Sequence, residues 1–119
     1  MPDLHLSPIS APVKKDQLTL LAGSTALSAQ EDVLKLFVFN MNECLCAMER
    51  SITAAEPYRW NMATSELKVI CDMLGAVRMQ SLCEHAEQVS SDLVVDRRTA
   101  LSRMQEELNR VRAFLRDMD

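Results

Sequence analysis

The sequence predicts an all-α protein in which four helices form an antiparallel bundle, preceded by an N-terminal arm and a short capping helix. Apolar residues recur at steps of three and four over four segments, which places them on one face of a helix. Short connections separate these segments, and glycine or proline marks several of them, as in an antiparallel bundle. No segment shows the sustained alternation of apolar and polar residues that predicts a strand.

The N-terminal region, residues 1–27, is predicted to contain the arm and the capping helix. Three of the four prolines lie in its first dozen residues, so this stretch is expected to be irregular. Residues 13–22 then predict a short helix that ends near Gly23. The remaining residues, 28–119, form the predicted bundle.

The first bundle helix is predicted to begin at a capping box, in which Ser28 caps the helix and Glu31 lies three residues further on. It should end before Pro57, because the residue before a proline resists helical geometry. Its predicted buried face consists of Val33, Phe37, Met41, Cys44, Met48 and Ile52. Further apolar residues widen this face, so other elements should cover the helix on more than one side. They are Leu34, Val38 and Leu45.

The second bundle helix is predicted over about residues 58–73, and Gly75 supplies the left-handed turn that ends it. Its predicted apolar face consists of Trp60, Ala63, Leu67, Ile70 and Leu74. The third bundle helix follows at once, so these two helices should form a hairpin. Its predicted apolar face consists of Met79, Leu82, Ala86 and Val89.

The last bundle helix is predicted to follow a polar break at residues 90–92, whose side chains can cap it. Its apolar residues repeat at alternating steps of three and four, the seam expected of a bundle helix. They are Leu101, Met104, Leu108, Val111, Leu115 and Met118.

Charge and composition argue against several classes of function. The net charge is −4, and no basic stripe with interleaved aromatic residues indicates nucleic-acid binding. No apolar run approaches the roughly 18 residues of a membrane span, and no signal peptide is evident. We therefore expect a cytoplasmic protein that does not bind membranes.

Candidate catalytic and metal-binding residues are few. The four cysteines contain no CxxC pair, so we expect reduced and mostly buried thiols. His5 lies in the arm, and His85 is the only histidine in the bundle, whereas a di-iron bundle needs histidines on facing helices. The chain has no glycine-rich phosphate loop and no GxSxG motif. We expect neither a metal nor a cofactor.

The segment TSELKVICDMLGA, residues 64–76, carries the most specific pattern in the chain. It resembles the active helix and following turn of histidine phosphotransfer (HPt) domains, with similar residues on the next helix. The matching residues are Leu67, Lys68, Leu74, Gly75, Ala76, Cys83 and Glu87. The resemblance covers about residues 28–118 in the same helix order. It implies a four-helix fold and a surface that docks a receiver domain or a sensor kinase.

Three departures from this pattern fall at the active position. Ser65 replaces the phosphoaccepting histidine, Val69 replaces a glycine and Thr64 replaces an alanine. A serine hydroxyl is a poor nucleophile without an adjacent base, and a serine phosphate is a stable ester. The resemblance therefore implies a degenerate HPt domain that binds its partner without accepting phosphate.

The predicted partner surface follows one row of the second bundle helix. Residues at steps of three and four share a helix face. On this face, methionine and valine side chains in a row indicate a surface that contacts another protein. The candidate binding residues are Met62, Ser65, Glu66, Lys68, Val69, Asp72 and Met73. Alternatively, the arm or the capping helix covers Met62 and Met73, which would then belong to the core.

Two other functions remain open from the sequence. The chain could be an unrelated helical interaction module, and its apolar row would then form the interface of a homodimer. It could also be an active phosphotransfer protein that uses His85, although this histidine lacks a lysine at the family spacing.

Overall fold

The computed structural model describes residues 11–89 and 94–118 of the chain. These residues form five helices: α1 (Lys15–Ala22), α2 (Leu27–Thr53), α3 (Pro57–Leu74), α4 (Val77–Gln88) and α5 (Val94–Arg116). No strand occurs in the described ranges, so the prediction of an all-α fold is confirmed for them. His5 and the predicted cap at residues 90–92 lie outside the described residues.

The helices pack around one hydrophobic core. Helix α2 contacts α1, α3 and α5, while α4 contacts both α3 and α5. The expectation that α2 is covered on more than one side is thereby confirmed. The largest fully buried side chains come from every helix and include Leu18, Leu34, Trp60, Met79 and Met104. Methionine supplies much of this core, because aromatic residues are only 4% of the chain.

The capping box predicted at the start of α2 does not form. The helix begins at Leu27, and Ala26 occupies the N-cap without a side-chain hydrogen bond. The Ser24 hydroxyl instead accepts a hydrogen bond from the Ala26 amide at 3.0 Å. Since α2 already includes Ser28, the predicted boundary between residues 27 and 28 falls within its first turn.

Helix α3 begins after a three-residue turn and ends at a glycine. Pro57 occupies the first turn of α3, where its missing amide hydrogen costs no helical bond. Ala55, in the turn, has a φ of 55°, which is unusual for a residue with a side chain. Gly75 adopts the left-handed conformation with a φ of 65°, and its amide bonds to the Asp72 carbonyl.

Gly75 also allows Lys14, the residue before α1, to approach the turn between α3 and α4. A Cβ atom at Gly75 would lie 2.8 Å from the Lys14 side chain, which is too close for two carbon atoms. Next to this contact, the Lys14 amide donates a hydrogen bond to the Leu74 carbonyl at 3.0 Å. The segment that precedes α1 is thus fixed to the end of α3.

Two polar clusters lie within the helix packing. The Trp60 indole donates a hydrogen bond to the Ala86 carbonyl at 2.9 Å, and the Arg97 guanidinium lies 4.8 Å from the centre of its ring. Glu107 is almost fully buried and pairs with Arg78 at 3.2 Å and Arg110 at 3.0 Å. The two arginines offset the charge of Glu107, which would otherwise be costly to bury.

The predicted helical faces agree with the buried residues except at their edges. In α2 the most buried row runs through Leu34 and Met41, while Val33 and Phe37 are half-buried. In α3, Cys71 is fully buried and Ile70 is half-buried. In α4, Cys83 is buried where Leu82 was expected to be. In each of these helices, the observed buried face is displaced by one residue from the predicted face.

Candidate docking face on α3

The outward side of α3 exposes a row of apolar side chains. Met62 is 65% exposed, Val69 is 61% exposed and Met73 is 40% exposed. They belong to a helix whose opposite side is fully buried at Leu67 and Leu74. The capping helix α1 therefore does not cover Met62, which keeps most of its surface. Residues 1–10 of the arm, the other predicted cover, lie outside the described residues. We call this outward surface of α3 the α3 face; it consists of Met62, Ser65, Glu66, Val69, Asp72 and Met73.

Ser65 lies in the middle of this face and is exposed. Within the described ranges, no hydrogen bond reaches its hydroxyl group. Thr64, the residue before it, is fully buried, and its hydroxyl donates to the Trp60 carbonyl at 2.7 Å. A serine without a neighbouring base keeps its proton and attacks poorly. The described residues therefore present Ser65 as an exposed hydroxyl group without a hydrogen-bonded base.

Lys68 is tied to the neighbouring helix. Its ammonium group pairs with the Glu87 carboxylate of α4 at 3.0 Å, and both side chains are about one-third exposed. The hydrogen bond that Lys68 donates to Glu87, together with the negative charge of that carboxylate, raises the pKa of Lys68 above its ordinary value. The pair carries no net charge, and solvent screens it. Lys68 therefore lies at the edge of the α3 face as half of a neutral pair.

Glu66 connects the α3 face to the core. The Cys44 thiol of α2 donates a hydrogen bond to the Glu66 carboxylate, with a sulfur–oxygen distance of 3.7 Å. Burial of this thiol, together with the negative charge of Glu66, raises the pKa of Cys44 to about 12. Cys44 is therefore a neutral thiol at physiological pH, and Glu66 remains available at the surface.

An open groove of about 760 Å³ continues from the α3 face toward the α2–α3 turn. Its apolar lining includes Ala47, Met62 and Ala63. Its polar lining consists of Cys46, Glu49, Arg50, Thr53, Glu56, Arg59 and Glu66. Glu56 and Arg59 pair with each other at 3.0 Å. Since Met62 and Glu66 belong to both regions, the groove and the α3 face form one surface.

The other candidate residues lie apart from this surface or within the core. His85 is exposed in the last turn of α4. All four cysteines are free; three are buried and Cys46 is half-buried, which confirms the expectation of reduced, mostly buried thiols. In the described ranges, no group of three or more histidine, cysteine, aspartate or glutamate side chains could hold a metal ion.

Sequence reasoning missed the residues that α2 contributes to this surface. Glu49 and Arg50 lie at the end of α2 and line the groove, but helical periodicity gives only their exposure. The Lys68–Glu87 pair was missed for a similar reason, because its partners are 19 residues apart. The one available signal was the short α2–α3 connection, which predicts that the end of α2 lies beside the start of α3.

Comparisons with protein-family models, curated proteins and solved structures found no match to this chain. The likeness to HPt domains thus remains a prediction from the sequence. Within the described ranges, none of the helices combines the length and the apolar character needed to cross a bilayer.

Proposed function

We propose that this chain is a non-catalytic HPt-like signalling protein that binds a receiver domain or a sensor kinase through the α3 face, with α2 to α5 as an antiparallel four-helix bundle. The main support is the row of Met62, Val69 and Met73, which exposes apolar surface on a helix with a well-filled buried side. Adjacent exposed apolar side chains mark surfaces that bind other proteins.

The surroundings of Ser65 support the part of the proposal that excludes phosphate transfer. A phosphoacceptor needs a nucleophile that is free of its proton, and a base must take that proton from serine. In the described part of the chain, no base contacts this hydroxyl. Glu87 also neutralises Lys68, the cation nearest in sequence. We therefore propose that the α3 face binds a partner without chemistry at Ser65.

The binding test uses the receiver domains and sensor kinases encoded in the source genome, each titrated against the full chain by calorimetry. Val69→Glu places a charge in the middle of the α3 face and should abolish binding to the true partner. Val95→Glu is the matched control, because Val95 is 77% exposed on α5. Binding that survives Val69→Glu but not Val95→Glu would move the interface to α5.

The test of chemistry uses a phosphorylated receiver domain with labelled phosphate. The wild-type chain should acquire no label. Label that disappears in Ser65→Ala would contradict the proposal, and label that disappears in His85→Ala would establish phosphotransfer through α4 instead.

A homodimer is the competing outcome for the same surface. Molecular mass measured by sedimentation equilibrium against concentration should correspond to a monomer of 13.4 kDa. A doubled mass that Val69→Glu returns to the monomer would assign the α3 face to self-association.

A further inference from the structure

The groove and the α3 face together have the shape of a binding site for one helix. The apolar row from Met62 to Met73 covers eleven helical steps, or about 16 Å at 1.5 Å per residue. It begins in the groove, since Met62 lines both regions. Ala47 and Ala63 are small and leave space between α2 and α3. An amphipathic helix of about three turns matches these dimensions.

The charges beside this apolar row are mostly negative. Glu49 and Glu66 line the groove, and Asp72 is exposed near the far end of the row. The Glu56–Arg59 pair contributes no net charge. Arg50 is the cation of the groove that opposes these carboxylates. Three carboxylates and one guanidinium give the surface beside the apolar row a net negative charge. We call this strip of surface the acidic margin.

The geometry points to the chemistry of the partner: we propose that this surface takes a basic amphipathic helix of another protein. Its apolar residues contact Met62, Val69 and Met73, and its lysine or arginine side chains pair with Glu49, Glu66 and Asp72. This inference rests on the proposed function, in which the α3 face docks a partner, and specifies which segment of a partner it selects.

The same charges disfavour other occupants. A two-fold dimer places the same surface patch on both sides of the interface, so it would bring the carboxylates of one copy toward those of the other. Nucleic acids and anionic membrane surfaces would meet the same acidic margin. A basic polypeptide gains electrostatic attraction where each of these is repelled.

The test uses two model peptides of about 14 residues, long enough to span the row as a helix. Both carry leucine at the same helical spacing; one has lysine at its polar positions and the other has glutamate. Fluorescence anisotropy with the full chain should detect binding of the lysine peptide only. Its Kd should rise when salt increases from about 50 to 300 mM, because added ions screen surface charges.

Variants on this surface supply the sharper part of the test. The double variant Glu49→Gln, Glu66→Gln should raise the Kd of the lysine peptide about tenfold, whereas Arg50→Gln should lower it about threefold, by the usual size of rim charge effects. Glu84→Gln, an exposed change on α4, is the control and should leave the Kd unchanged. Val69→Glu should remove binding.

The possible outcomes separate this inference from the proposed function. Equal binding of both peptides, or no effect of the charge variants, would overturn the basic-helix proposal. If receiver binding still depends on Val69 in that case, the proposed function stands. If the lysine peptide binds as expected but no receiver or kinase does, the docking chemistry stands and the HPt-like assignment fails. Self-association that excludes the lysine peptide would also overturn the proposal.

Discussion

The apolar residues on the two sides of α3 differ in how deeply they are buried. On the inner side, Leu67 and Leu74 are fully buried among other helices. On the outer side, Val69 and Met73 retain a large part of their surface. Both sides have the same spacing, and both are built from aliphatic or thioether side chains. Apolar periodicity alone therefore identifies two stripes on one helix, and only the packing of the neighbours decides which one stabilises the fold.

The largest difference between the two sides should appear when an aliphatic side chain is truncated. Leu67→Ala leaves a cavity and should lower the free energy of unfolding by about 2–5 kcal/mol. Val69→Ala, on the other side of the helix, should leave it unchanged or raise it slightly, because alanine is the better helix former. Urea denaturation followed by circular dichroism measures both; equal losses would mean that the outer side is also packed.

Trp60 provides a second test of the inner side. Trp60→Phe removes the hydrogen bond to the Ala86 carbonyl and replaces the indole that faces Arg97 with a smaller ring, which attracts a cation less strongly. The carbonyl then remains buried without this donor, and the expected loss is about 2 kcal/mol. Tyr58→Phe, at an exposed position two residues earlier, is the control and should change the midpoint little. A similar loss for both variants would show that aromatic replacement in α3, rather than the buried bond, sets the cost.

Alkaline pH should test the contact between Cys44 and Glu66, which links the inner and outer regions. The pKa of Cys44 is raised from its ordinary value of 9.0 to about 12, so the folded chain holds a proton that the unfolded chain loses. Its stabilising contribution is complete below pH 9 and is lost as the pH rises toward 12. One pH unit within this window should cost about 1 kcal/mol more in wild type than in Cys44→Ala. Identical pH dependence of both chains would contradict the assignment.

The smallest expected effect on stability belongs to the outer side. Val69→Glu should change the free energy of unfolding by no more than about 0.5 kcal/mol, as for other exposed substitutions. Thermal denaturation of this variant beside Val95→Glu measures the change. A large loss would show that Val69 supports the fold, and any loss of partner binding in that variant would then follow from unfolding.

Periodicity was sufficient to predict helices where one apolar row dominates. It gave the helical nature of α2 to α5, and glycine gave the end of α3 at Gly75. It failed by one residue where small or sulfur-containing side chains enter the core, as at Cys71 and Cys83. Such residues carry little apolar signal, although burial suits them.

Local motifs and distant contacts were harder to predict. The Ser28–Glu31 pattern matched a capping box, but α2 begins one residue before Ser28, and it is the Ser24 hydroxyl that accepts a hydrogen bond from the Ala26 amide. For the candidate site, the exposed row on α3 could be found from spacing. The groove could not, since it depends on how the end of α2 packs beside α3 after the turn at Ala55.

The return of α5 to α2 has a consequence for the order in which the chain folds. Most helix contacts join neighbours in sequence, and such local contacts form quickly. The packing of α5 on α2 is different: the bond from Arg112 to Asn42 spans 70 residues of chain. During synthesis, the side of α2 that receives α5 has no partner helix until α5 has left the ribosome. For that interval the nascent chain exposes apolar surface, which makes it a target for chaperones and prone to aggregation.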